Sequence, residues 1–72
     1  MRVVIGDVAV VTQGSEPTVT RVWRLKPDGR IGACLVERQT FGRREGSAQH
    51  AKAVRQVKAG AYAAQPAVQG AA

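Results

Sequence analysis

The chain has 72 residues, 44% hydrophobic and 22% charged, and its 11 Lys and Arg against 5 Asp and Glu give a formal charge of +6. One domain is the most this length holds, because domains typically need about 50 to 200 residues. A single cysteine excludes an intramolecular disulfide, and no run approaches the ~20 apolar residues of a membrane span, so multidomain enzymes, disulfide-stapled miniproteins and transmembrane proteins fall away.

Residues 1–46 read as β-structure. Val3, Val4 and Ile5 lead into the turn pair Gly6-Asp7, and Val8 to Val11 form a β-branched run. Gln13-Gly14-Ser15-Glu16-Pro17 is loop chemistry. From Thr18 to Lys26 the alternation places Val19, Trp23 and Leu25 toward a core, with Thr18, Thr20, Arg24 and Lys26 outward. Arg21 and Val22 break that pattern and suggest a bulge. Pro27-Asp28-Gly29 predicts a hairpin turn, since Pro presets φ, Asp bonds nearby backbone and Gly supplies positive φ. The return strand, Arg30 to Arg38, is apolar on both faces and reads as an inner strand, with a short strand at 39–41 before Gly42.

Gly42 to Gly46 is expected as a basic loop, followed by Ser47 as the cap of a helix over 47–62. Ala51, Val54, Val57 and Ala61 give that helix a thin apolar stripe, and Gly60 or Pro66 ends it. Residues 63–72 are a low-complexity tail of Ala, Gln, Gly, Pro and Val, expected to be flexible in isolation. The fold expected is mainly β: a small antiparallel SH3-like barrel or bent sheet of four to five strands, then one C-terminal helix and the tail. A body this small buries only about 60% of its unfolded surface, so a partner or self-association is a natural source of extra stability.

No residue set points to catalysis. Cys34 and His50 occur once each and lie on different elements, with Cys34 expected buried as a small hydrophobe and His50 expected on the surface. They cannot complete a metal shell, the five carboxylates sit in turns or beside arginines, and no Gly-Lys-Ser/Thr follows Gly42 and Gly46. Neither enzyme activity nor any cofactor is expected. The Asp7 interruption argues against a signal peptide, so the expected location is the cytoplasm.

Basic residues carry the functional reading. Lys52, Arg55 and Lys58 recur every three residues along the helix, Arg43 and Arg44 lead into it, and no acidic residue follows Glu45. Such a stripe suits a phosphate backbone, although a solvated helix face would look the same. Arg21, Arg24 and Arg30 form a candidate second patch around the hairpin. Trp23 beside them is either the main core residue or a base-stacking platform. Nucleic acid or a nucleoprotein complex is therefore the first expected partner. A protein-binding accessory is the alternative, such as a phage-type inhibitor of a host complex or a small virion assembly or decoration protein. In that reading the tail orders on a protein partner or mediates self-assembly. No membrane partner is expected.

The stretch Ile5-Gly6-Asp7-Val8-Ala9-Val10-Val11, followed by Gln13-Gly14-Ser15-Glu16-Pro17-Thr18-Val19-Thr20-Arg21-Val22, resembles the opening of small SH3-like barrels. It is most similar to the YodC-like family of bacterial proteins, whose pattern runs from a Gly-Asp-Val strand through a Ser/Gly-Gly loop to a Thr-Val strand. Cys34 falls where that family tends to carry a cysteine. KOW-type barrels of ribosomal and transcription-elongation proteins share the Gly-Asp-Val opening more loosely. The resemblance spans residues 4–36 and departs after Cys34, where Leu35 and Val36 stand in place of an aromatic. It implies a barrel and no particular activity, because that fold hosts many binding roles.

Overall fold

The computed structural model describes residues 1–63. Strands β1 (Arg2–Ile5), β2 (Val8–Gln13), β3 (Thr18–Leu25) and β4 (Ile31–Thr40) form one antiparallel sheet in the order β1-β2-β3-β4, and α1 (Arg43–Lys58) lies across one face of it. The mainly β architecture with a C-terminal helix matches the reading of the sequence. Of its two forms, barrel and bent sheet, the molecule adopts an open sheet whose edges are β1 and β4. The expected tail lies outside the described residues from position 64 onward.

Local chemistry explains the turns. Gly6-Asp7 is a two-residue hairpin loop that pairs Ile5 with Val8. The Gln13–Pro17 cluster loops as expected, with the Thr18 hydroxyl donating to the Gly14 carbonyl at 3.2 Å. At the third turn the Lys26 N–H donates to the Arg30 carbonyl at 2.8 Å, and Asp28 Oδ1 accepts the Arg30 N–H at 3.0 Å.

Four expectations for the sheet are corrected. β4 runs unbroken from Ile31 to Thr40, so no separate strand forms at 39–41. It is an edge strand rather than an inner one, which leaves Cys34 exposed. The facing of β3 is inverted: Thr18, Thr20 and Val22 are buried, while Val19, Trp23 and Leu25 take the other face. Trp23 is therefore not the core residue. The expected bulge in the middle of β3 does exist, as register shifts against β4 on either side of Trp23.

The helix also differs from expectation. It begins at Arg43, so Arg43 to Gly46 form its first turn and Ser47 lies inside it. Gly46 is not a loop glycine. A Cβ there would sit 2.8 Å from Thr18 Cγ2, and its absence lets the helix approach the sheet. The helix ends in a Schellman motif. Gly60 at φ +87 donates to the Val57 carbonyl and Ala61 to the Gln56 carbonyl, both at 3.0 Å. Glu45 in the first turn and Arg55 and Lys58 in the last complement the helix dipole.

Gly46, His50 and Ala53, four and three residues apart, form the stripe of α1 that meets the sheet. Val8, Val10, Val22 and Ala53 make the core, with Val36, Val54, Val57 and Tyr62 packed around it. No helix among the described residues is long and apolar enough to cross a membrane.

Candidate functional site

The eight basic residues nominated from the sequence separate into two groups. Arg21, Arg24 and Arg30, the proposed second patch, are each held by a carboxylate. Arg21 Nε donates to Glu37 Oε1 at 2.6 Å across the β3–β4 ladder. Arg24 reaches Asp7 Oδ2 at 3.0 Å, and its other terminal nitrogen donates to the Tyr62 carbonyl. Arg30 lies 3.6 Å from Asp28. Nor do the three share a face. Arg21 stands with Trp23 on the side turned away from α1, Arg24 pairs with Val8 on the helix side, and Arg30 projects from the turn. No joint patch forms.

The helical group is different. Arg43, Arg44, Lys52, Arg55 and Lys58 are all exposed, and none has a carboxylate partner among the described residues. Three of the chain's five carboxylates are already engaged by the sheet arginines. With 3.6 residues per turn, Arg44 and Arg55 lie opposite the Gly46–His50–Ala53 stripe, and Lys52 and Lys58 flank them on either side. These four cations cover roughly 21 Å of helix at about 1.5 Å per residue. Arg43 stands on a different flank, lining a groove of about 490 Å³ with Gly14, Ser15 and Ser47. The nominated stripe is thus one surface with Arg43 at its margin.

His50 is the clearest departure from the sequence reading. It is buried beneath α1, where its Nδ1 lies 2.6 Å from Thr12 Oγ1, which in turn lies 2.9 Å from Thr20 Oγ1. Burial, reinforced by the Met1 ammonium, holds the imidazole below its usual pKa of 6.5. The network is closed, since among the described residues no buried side-chain nitrogen or oxygen lacks a partner. Its role is to fasten the helix to β2 and β3. A lone histidine and scattered threonines carry no sequence signal for this, because only the β2–β3 register sets Thr12 beside Thr20.

Arg2 is a surface residue the sequence reading passed over. Register aligns it with Val11, Arg21 and Glu37 in a single row across the sheet. Among the described residues no three His, Cys, Asp or Glu side chains converge. Compared with known proteins, the chain matches no family model, no curated protein and no solved structure.

Proposed function

We propose that the protein is a non-enzymatic, basic nucleic-acid-binding module of the cytoplasm that uses the outer face of α1. One observation carries this reading. Arg21, Arg24 and Arg30 are spent on carboxylates, while Arg44, Lys52, Arg55 and Lys58 are uncompensated along one side of one rigid helix. Such a surface attracts phosphates at long range and releases condensed counterions on contact. The side chains between those cations on the outer face are Ala48 and Ala51, so binding is expected to follow the backbone and to be indifferent to sequence. The resemblance to YodC-like and KOW-type barrels is compatible with a role on transcription or translation machinery and is part of this proposal.

The test is anisotropy of a labelled duplex and a labelled single strand across a salt series. Replacing Lys52, Arg55 and Lys58 together by Ala should weaken binding for every sequence. It should also flatten the plot of log affinity against log salt by about one unit per lost contact. Unchanged binding in the triple variant removes the proposal. A protein-binding accessory is the second reading, favoured by the apolar surface on the side of the sheet away from α1, where Val4 and Ile31 are exposed.

A further inference from the structure

The sheet face turned away from α1 has no covering element among the described residues. Two registered rows cross it: Arg2, Val11, Arg21 and Glu37, and beside them Val4, Ala9, Trp23 and Cys34. Leu25 and Ile31 pair at its end. Val4 is 52% exposed and Ile31 40%, and a groove of about 390 Å³ runs over Val11, Arg21, Trp23 and Ile31. Exposed apolar side chains beside a charged row on an uncovered sheet face mark an interaction site.

Charge narrows the partner. Glu37 neutralises Arg21, so Arg2 is the one side-chain cation of these two rows without a carboxylate. The face therefore has little to offer a phosphate chain and much to offer an apolar protein surface. We propose that it docks on the same face of a second copy of this chain, about a two-fold axis running along the strands. Such an axis reverses strand order and keeps position along the strands, so β1 of one copy lies over β4 of the other and each row meets itself reversed. Arg2 then faces Glu37 of the second copy, and by symmetry the contact occurs twice. The Val4–Trp23 row closes on its counterpart and leaves water.

Size is adequate for this interface. Strands of 4, 6, 8 and 10 residues, about 4.8 Å apart and rising ~3.3 Å per residue, present on the order of 440 Å² per copy, so two faces together approach the ~1,000 Å² of a modest specific interface. The contact is isologous and closes at two copies. The helices remain outside, one on each side of the particle, so this surface and the basic face of α1 are independent and can be tested separately.

The experiment is sedimentation velocity with Trp23 emission recorded on the same samples, from about 1 to about 200 μM, the range in which an interface of this size should half-assemble. The result expected is a dimer, with emission moving to shorter wavelength as it forms. Arg2→Glu and Glu37→Arg should each shift assembly at least about tenfold higher in concentration by setting like charges opposite one another. Mixing the two variants should restore a heterodimer, because each then meets its opposite charge at both contacts. Val4→Asp should give a monomer with unchanged far-ultraviolet dichroism. A wild-type monomer across the whole range overturns the proposal, as does a dimer unaffected by any of these changes. Quenching of Trp23 in the monomer by a single-stranded oligonucleotide would assign the face to nucleic acid instead.

Discussion

Under α1, β2 and β3 present Val8, Val10, Thr12, Thr18, Thr20 and Val22, nothing larger than valine before Arg24 near the end of β3. On the opposite face the same two strands carry Val11, Arg21, Trp23 and Leu25. The difference follows from the helix stripe that meets the sheet. Gly46 and Ala53 bring α1 close, and a narrow gap admits small β-branched side chains but not an indole. Threonine is tolerated there because Thr12 and Thr20 bond to each other and Thr12 also bonds to His50, which removes the penalty of a buried hydroxyl. Bulk therefore does not decide which face of this sheet is inside. The space left by the helix does.

Gly46→Leu breaks that arrangement most directly. The new side chain must displace Thr18, and neither the helix nor β3 can yield without opening the core. A loss of about 3 kcal/mol or more is expected, equivalent to roughly 12 °C or more in Tm for a domain of this size, read by thermal unfolding. The same change at Ala51, on the exposed side of α1, should move Tm by no more than a degree or two. Equal effects at both positions would mean that the close approach at Gly46 does not matter.

Val22→Ala against Leu25→Ala sharpens the contrast on a single strand. Val22 is fully buried, and its truncation should cost about 2 kcal/mol in lost burial and cavity. Leu25 is larger but half-exposed on the open face, and its truncation should cost under about 1 kcal/mol in the monomer. Denaturant titration of both variants at low protein concentration decides it.

Part of this arrangement was legible in the residues. The turns at Gly6-Asp7, Gln13–Pro17 and Pro27-Asp28-Gly29 depend on local φ preferences and side-chain bonds, and each forms where its residues place it. The facing of β3 was not legible. Both of its parities contain apolar residues, and rating Trp23 and Leu25 above Thr18, Thr20 and Val22 ignores a hydrogen bond that exists only after β2 and α1 are in place. The helix start was missed for a related reason: Gly46 has the composition of a loop, and only the nearness of Thr18 reveals it as a packing glycine. For the candidate interface, the stripe Lys52–Arg55–Lys58 was readable from spacing alone. That Arg21, Arg24 and Arg30 would be taken up by Glu37, Asp7 and Asp28 depended on cross-strand register and turn geometry.

The polar half of the covered face makes stability pH-dependent. His50 titrates below 6.5 in the folded chain and near 6.5 in the unfolded one, so as pH falls the unfolded chain takes up the proton first. Stability is then fully present above about pH 6.5 and declines as pH drops from there through the folded pKa, by at most about 1.4 kcal/mol per pH unit. His50 is the sole histidine, and no other side chain has an ordinary pKa in that window. His50→Gln should therefore be less stable at pH 7.5 and lack the decline between pH 6.5 and 5.5. A variant that keeps the wild-type slope would place its origin elsewhere.

The smallest effect separates two arginines that look alike in sequence. Arg24 has a side chain 24% exposed and ties three elements: it pairs with Asp7 in the β1–β2 turn and donates to the Tyr62 carbonyl beyond the Schellman turn of α1. Removing it leaves a half-buried carbonyl without that donor and frees the chain that brings Tyr62 onto the core, so Arg24→Ala should cost about 1 kcal/mol. Arg30, 83% exposed, meets only Asp28 within its own turn. Water solvates both charges there as well as they solvate each other, and Arg30→Ala should change stability by less than about 0.3 kcal/mol. Salt distinguishes them further: at high ionic strength the Arg24 effect should persist, because a neutral carbonyl shares that guanidinium and is not screened as an ion pair is. Equal losses at the two positions would mean that the contact with Tyr62 contributes nothing to holding the end of α1 against the sheet.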